Sequence, residues 1–118
     1  MARVLAYVPD LLFGSNVLGA LQAAGHEATL VARLSEAELP GLSDADVLVV
    51  DLTADAPARI ELVRALGLGP APRTLAFYSH VESEVRELAQ AAGFDQVIPR
   101  SRMAREGGAV VARLAADG

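Results

Sequence analysis

Cysteine and lysine are both absent from this sequence of 118 residues. Without cysteine, the chain can form neither a disulfide nor a thiolate metal site, and it has no cysteine nucleophile. Without lysine, it can form no Schiff base, and all ten of its basic residues are arginines. These two absences remove cysteine chemistry and Schiff-base chemistry from the candidate functions.

Long hydrophobic segments and positive charge are also scarce. Runs of apolar residues end after four or five positions, which is too short for a transmembrane helix. The first ten residues lack the apolar segment of a signal peptide, so we expect a cytoplasmic protein without a membrane partner. The formal net charge is −5. Because nucleic-acid affinity depends on neutralising phosphates, we expect no nucleic-acid partner.

The rest of the composition is that of an ordinary globular protein. Hydrophobic residues make up 53% of the chain and charged residues 21%, which is too apolar for a disordered chain. A length of 118 residues suffices for one hydrophobic core. Because no linker, repeat or low-complexity segment interrupts the sequence, we predict a single domain over residues 1–118.

Hydrophobic residues recur with periods that alternate between those of strands and those of helices. Five strands are predicted, over 3–8, 28–32, 46–51, 74–78 and 95–98. Five helices are predicted, over 16–24, from Ser35 to a stop at Pro40-Gly41, and over 57–66, 81–92 and 102–116. Such β-α units predict a parallel sheet with helices on both faces, which is a doubly wound α/β fold.

Some local interpretations concern helix faces and turns. Ser79 and Glu82 have the spacing of a capping box, which indicates a helix start. His26 lies in the turn AAGHEA, so we interpret it as a surface residue. The helix over 81–92 is expected to turn four apolar residues inward, namely Val81, Val85, Leu88 and Ala92.

Polar residues are predicted at the carboxyl ends of the strands, where functional groups collect in doubly wound sheets. They combine two carboxylates with hydroxyl, imidazole and guanidinium groups. We therefore expect one shared rim, formed by Asp10, Asp51, Ser79, His80, Arg100 and Ser101.

For the two acids, the residues alone leave two interpretations open. Asp51 follows the apolar run 47–50 and is either the centre of a site or the start of the turn before Pro57. Asp10 follows Pro9, a pair common in turns, and is either a turn residue or a ligand.

Ser79 and His80 also allow a structural and a functional interpretation. The capping box explains Ser79 without any ligand, although a helix cap can also be a site hydroxyl. His80 either lies in an exposed loop or titrates near neutral pH beside the two acids, as a switch or a proton carrier.

Three stretches of the chain resemble the receiver domains of response regulators: DVLVVDL at 46–52, TLAFYSH at 74–80 and AGFDQVIPRS at 92–101. The resemblance covers essentially the whole chain and implies a flavodoxin-like fold with strand order 2-1-3-4-5. By position, Asp51 matches the phosphoacceptor of that family, Ser79 the hydroxyl that senses the phosphoryl group, and Arg100 the lysine.

The departures from the family pattern concern the metal site and the lysine. Receivers carry two adjacent acids at the end of strand one to hold Mg²⁺, and Val8 and Pro9 stand there instead. Asp10 comes one residue late, so a Mg²⁺ site of Asp10 and Asp51 is compromised. Arg100 replaces the lysine, and we hypothesise that it forms an ion pair with Asp51.

The resemblance implies a stand-alone signalling module with a degenerate phosphorylation site, without a cofactor and without enzymatic activity. Such a module acts by binding a protein partner. In receivers the binding surface comprises strand four, helix four, strand five and helix five, and it also supports homodimers. In this chain the surface would centre on Tyr78, Glu82, Arg86, Val97 and Arg102.

Other functions remain as alternatives. One is a receiver in which Asp51 still accepts phosphate with Mg²⁺, and another is a hydrolase or transferase built from the rim. The stretch 18–33 also resembles part of a dinucleotide-binding unit, with Arg33 as a partner for a 2′-phosphate. There Gly14 and Gly19 have the outer spacing of the glycine fingerprint, but Asn16 replaces its middle glycine. A small nucleotide-binding protein is therefore a further alternative.

Overall fold

A computed structural model describes residues 1–79 and 81–117. It contains one parallel sheet with the strand order β2-β1-β3-β4-β5. The strands are β1 (Arg3–Tyr7), β2 (Glu27–Val31), β3 (Val47–Asp51), β4 (Arg73–Tyr78) and β5 (Gln96–Pro99). The helices are α1 (Leu11–Ala23), α2 (Leu39–Asp44), α3 (Ala56–Ala65), α4 (Ser83–Ala92) and α5 (Arg100–Asp117). The predicted fold class and strand order are confirmed.

The sheet separates two hydrophobic clusters because successive residues of each strand point to opposite faces. In β3, Val47 and Val49 belong to the cluster beneath α1 and α5, whereas Leu48 and Val50 belong to the cluster beneath α2, α3 and α4. All five residues of β3 are buried. The central strand is therefore buried along its whole length, including Asp51 at its carboxyl end.

Helix α1 begins five residues earlier than the predicted start at Asn16. Asp10 is its N-cap, and the carboxylate of Asp10 accepts a hydrogen bond from the backbone N–H of Phe13 at 3.0 Å. The sequence pattern does not predict this first turn, because it contains Gly14 and glycine disfavours helices. A Cβ at Gly14 would lie 3.1 Å from the side chain of Leu30, so the glycine lets α1 pack closely on β2.

The segment after β2 continues through the predicted stop at Pro40-Gly41. Ser35 and Glu38 form the predicted capping box, but around a short 3-10 helix over Glu36–Glu38. Helix α2 follows directly and holds Pro40 in its first turn. Proline is tolerated there because the first turn has no intrahelical use for its missing N–H.

Helix α4 starts at Ser83, so the interpretation of Ser79 as its cap is wrong. Its N-cap is Glu82, which makes no side-chain capping bond. Val81 precedes the helix and is 75% exposed. Leu88 is 47% exposed, so the expectation that Val81 and Leu88 face inward is wrong. The buried residues of α4 are Val85 and Ala89.

His26 is buried, contrary to its interpretation as a surface residue. Its Nδ1 accepts the backbone N–H of Ala2 at 3.1 Å, and its Nε2 lies 2.8 Å from the carbonyl oxygen of Gly108. These partners require a neutral imidazole with the proton on Nε2. One side chain thereby joins the start of β1, the turn after α1, and α5.

Helices α1 and α5 come very close at Gly108. A Cβ at this position would lie 2.5 Å from the Cβ of Ala24. The adjacent Gly107 faces Met103 instead, whose Cε would lie 2.8 Å from an added Cβ. The two glycines therefore differ in how well they would tolerate a side chain. Gly108 faces a Cβ atom, which cannot move without its backbone, whereas Gly107 faces the end of a flexible side chain.

The described helices contain no candidate for a membrane span. Over residues 1–79 and 81–117, none combines the length and the hydrophobicity that crossing a bilayer requires.

We predict that Gly108→Ala lowers the free energy of unfolding by about 1–3 kcal/mol, because the Cβ of Ala24 cannot move without shifting the backbone of α1. Gly107→Ala is the matched control, since the flexible end of Met103 can move aside and the helix gains about 1 kcal/mol from the loss of glycine. Urea denaturation measures both. A Gly108→Ala protein as stable as the parent would contradict the close helix contact.

We also predict that His26→Leu lowers the free energy of unfolding by about 2 kcal/mol, because it leaves the buried N–H of Ala2 without a partner and removes the hydrogen bond to the carbonyl of Gly108. Gln22→Leu on the exposed face of α1 serves as a control and should change stability by no more than about 0.5 kcal/mol. Equal stabilities of the two variants in thermal or urea denaturation would show that the bonds of His26 contribute nothing.

Candidate functional site

The candidate site lies at the carboxyl end of β3, the middle strand of the sheet. Asp51 is the last residue of β3 and pairs with Phe77 of β4. On the other side of β3, β1 pairs with it up to Tyr7 and Val50. This position between two flanking strands holds the carboxylate of Asp51 in the rim, where the residue is only 1% exposed.

Both carboxylate oxygens of Asp51 have partners within the chain. Thr53 donates its backbone N–H to Oδ1 at 2.8 Å and its hydroxyl to the same atom. Arg59 Nη1 lies 3.2 Å from Oδ2 and also donates to the backbone carbonyl of Asp51 at 3.0 Å. The site is thus a closed set of contacts among three residues.

Arg59 reaches Asp51 because α3 begins shortly after β3 and runs back along the sheet. Arg59 is the fourth residue of α3. Its guanidinium lies over the ring of Tyr7, with Cζ 5.9 Å from the ring centroid. A cation over an aromatic face is attracted by the negative charge of the π system. The aromatic ring and the carboxylate therefore fix the guanidinium from two directions.

The pair is buried on both sides, which makes it costly to break. The side chain of Arg59 is 12% exposed and that of Asp51 is 2% exposed. A buried ion pair gains little over an apolar pair, but removal of one member leaves an uncompensated charge in a medium of low polarity. Asp51 and Arg59 thus depend on each other.

Arg100 is not the partner of Asp51, so that hypothesis is wrong. Arg100 is exposed at the start of α5, and its Cζ lies 5.4 Å from the ring centroid of Phe13. Phe13 in turn packs against Phe77, with ring centroids 5.3 Å apart. The guanidinium of Arg100 thus lies over an aromatic ring of α1. Arg59 occupies the position beside the carboxylate of Asp51 instead.

The residues at the expected metal position do not fit Mg²⁺. Val8 is fully buried and Pro9 offers no side-chain oxygen. Asp10 caps α1, and Asp51 already accepts bonds at both oxygens. Among residues 1–79 and 81–117, no three His, Asp or Glu side chains form a group that could hold a metal. No chemistry of this site is therefore assigned to a metal.

The remaining rim residues take different positions. Ser79 is half-buried directly after β4, and its backbone carbonyl accepts the N–H of Glu82 at 2.9 Å. Ser101 is exposed in the first turn of α5. The prediction for His80 lies outside the described residues. The rim of the described chain therefore centres on Asp51, Thr53 and Arg59.

The predicted partner surface needs one correction. Tyr78 is buried, with 7% of its surface exposed, because the last residue of β4 still faces the cluster beneath α4. Glu82 and Arg86 are exposed, and Val97 is half-buried. Arg102 is half-buried, and its Nε lies 3.7 Å from Glu106. A surface of mixed charge remains without the tyrosine.

Arg59 is not among the predicted site residues, although the chain contains a signal for it. A cation in the first turns of a helix is disfavoured by the positive end of the helix dipole. Arg59 stands in such a position, directly after the strand that ends in Asp51. A basic residue placed there indicates a nearby carboxylate that compensates this cost.

A cavity of about 340 Å³ lies at the opposite end of the strands, near the amino ends of β4 and β5 and between the carboxyl ends of α3 and α4. The loop 67–72 and Phe94 contribute to its lining. None of the predicted site residues that the structure describes lines this cavity, so it is separate from the site at Asp51.

Comparisons with known proteins identify the fold. No protein-family model matches the sequence, and no curated protein matches it significantly. A response regulator receiver protein from Burkholderia phymatum has a TM-score of 0.80 at 21% identity, over 98% of this chain and 96% of that one. A putative pilus assembly-related protein from Burkholderia pseudomallei has a TM-score of 0.82 at 22% identity, over 98% and 90%.

A third solved structure is an atypical orphan response regulator, described as having a phosphorylation-independent regulatory mechanism. Its TM-score is 0.74 at 20% identity, over 97% of this chain and 95% of that one. These likenesses span nearly the whole chain. The protein therefore has the fold of response-regulator receiver domains.

We predict that Arg59→Leu lowers the free energy of unfolding by about 3 kcal/mol, because it leaves the buried carboxylate of Asp51 without its cation. Arg64→Leu is the matched control on the same helix. Arg64 pairs with Glu61 at 3.4 Å, but both side chains are more than half exposed. We expect it to change stability by less than about 1 kcal/mol. Similar losses in urea denaturation would contradict the assigned role of Arg59.

Proposed function

We propose that this chain is a receiver-like signalling module with a degenerate phosphorylation site, which acts by binding a protein partner. The observation that carries the proposal is the buried contact between Asp51 and Arg59. The position that matches a phosphoacceptor already holds a cation from the chain itself. The proposal assigns no enzymatic reaction and no cofactor to the protein.

The chemistry of phosphoryl transfer supports this proposal. A carboxylate that accepts a phosphoryl group must bring one oxygen in line with the phosphorus atom of the donor. Asp51 is 1% exposed, and both of its oxygens are engaged by Thr53 and Arg59. A donor would have to displace the guanidinium first, and the position of the metal ligands holds Val8 and Pro9.

One structural neighbour gives further support. The atypical orphan response regulator with 20% identity is described as regulated independently of phosphorylation. We extend this property to the present chain as part of the proposal, because the occupied Asp51 provides a physical reason for it.

The proposed partner is a protein or a second copy of the chain, bound through the face of α4, β5 and α5. Exposed charges of both signs lie on this face, including Glu82 at the N-cap of α4 and Arg86 on α4. Complementary charges of this kind set the specificity and the rate of association more than the affinity. The proposal takes this face, without Tyr78, as the site of partner binding.

We predict that the protein does not accept a phosphoryl group. Incubation with Mg²⁺ and acetyl phosphate should leave its intact mass unchanged, because Arg59 occupies the site. Mg²⁺ with beryllofluoride should likewise leave the amide NMR signals around residues 47–53 unchanged. Any self-association seen in sedimentation should not respond to either reagent.

Asp51→Asn is the control for this experiment. A gain in mass that occurs in the parent protein and disappears in Asp51→Asn would overturn the proposal. It would show instead a receiver that accepts phosphate on Asp51.

A further inference from the structure

The loop between β3 and α3, residues 52–55, contains a backbone conformation that side chains rarely adopt. Asp55 has φ of +49° and is the one described residue other than glycine with a positive φ. This left-handed region brings Cβ close to the backbone, and aspartate adopts it only occasionally, although more readily than most residues with a side chain. Contacts elsewhere help to hold the loop in this form.

The start of α3 does not supply that contact. Asp55 is the N-cap of α3 but makes no side-chain capping bond. The first turn is closed by the backbone bond from Arg59 N–H to the carbonyl of Asp55 at 2.9 Å. A helix start without a side-chain cap is prone to fray, because its first N–H groups have no partner within the helix.

Asp51 holds the loop at both ends. At the start, Thr53 donates its N–H and its hydroxyl to Oδ1. At the far end, Arg59 contacts Oδ2 and the carbonyl oxygen of the same residue. The buried Asp51 therefore contacts residues on both sides of Asp55, whose backbone conformation is unfavourable. These contacts restrain the start of α3, which has no side-chain cap.

We propose that Asp51 is a positioning residue and that its contacts with Thr53 and Arg59 form a latch on the β3–α3 loop. When the negative charge of Asp51 is neutralised, or Arg59 is drawn away, the loop and the first turn of α3 relax. The inference rests on the proposed function, because it assigns to Asp51 a role that does not involve phosphate. It names α3 as the element through which the state of Asp51 is transmitted.

The relaxation is local because the first residue of the loop and the buried side of α3 are anchored independently. Leu52 is 1% exposed, and its N–H donates to the carbonyl of Phe77 at 2.9 Å. Ala56 and Ile60 are buried in the cluster beneath α3. The segments free to relax are thus 53–55 and the outer side of the first turn of α3.

Hydrogen exchange tests the latch, with Asp51→Asn as the variant that removes the charge and keeps the shape. We expect the amides of Thr53 and Arg59, whose hydrogen bonds depend on the latch, to exchange about tenfold faster, because local opening raises exchange only where contacts are lost. Amides in β1 and α5 should keep their rates. Arg64→Leu is the control on α3 and should leave the loop unchanged. Unchanged loop amides, or a uniform increase across the chain, would overturn the inference.

Thr53→Val is a milder second variant that keeps the Arg59 pair, so it serves if Asp51→Asn does not fold. It should speed exchange at the same loop amides by a smaller factor. An increase confined to residues 81–86 would overturn the inference. The failure of each proposal has its own measurement. A gain in the mass of the parent protein would contradict the proposed function. Unchanged hydrogen exchange in the Asp51→Asn and Thr53→Val variants would contradict the latch.

Discussion

The buried pairing of Asp51 with Arg59 is the interaction on which the site depends. The sheet places a carboxylate where β1, β3 and β4 end together, and such a charge cannot stay buried without a partner. Arg59 provides the cation, Thr53 provides hydrogen-bond donors, and Tyr7 provides an aromatic face for the guanidinium. The carboxyl end of β3 is thus occupied by contacts within the chain.

Filling the site with arginine has a different consequence from filling it with an apolar side chain. An apolar side chain in place of Arg59 would bring no positive charge to the site. The ion pair keeps the charges of Asp51 and Arg59, and each is stable in the interior only beside the other. The second guanidinium of the rim, that of Arg100, is held by Phe13. The two arginines therefore have separate roles, and only one of them compensates the carboxylate.

Much of the fold could be predicted from the sequence, because hydrophobic residues recur with different periods in strands and in helices. The errors have local causes. Gly14 hid the first turn of α1, since its role is close packing on Leu30 and not helix formation. The spacing of Ser79 and Glu82 imitates a capping box, but the helix starts at Ser83.

The site was only half predictable for a related reason. Asp51 stands out because it directly follows an apolar run, so the sequence locates it. The partner of Asp51 depends on the path of the β3–α3 loop, and the left-handed Asp55 within that loop leaves no periodic pattern. Arg100 matched the family position, yet its direction depends on an aromatic ring distant in the sequence.

The contact of His26 with Gly108 has a consequence for the order in which the chain can fold. Gly108 belongs to α5, which follows all five strands in the chain, so the part of this face beneath α5 is covered only after every strand has been made. The opposite face is covered by α2, α3 and α4, which are made earlier. Assembly of the two faces is therefore unequal in time, and the face beneath α1 and α5 is completed by contacts between residues far apart in the sequence.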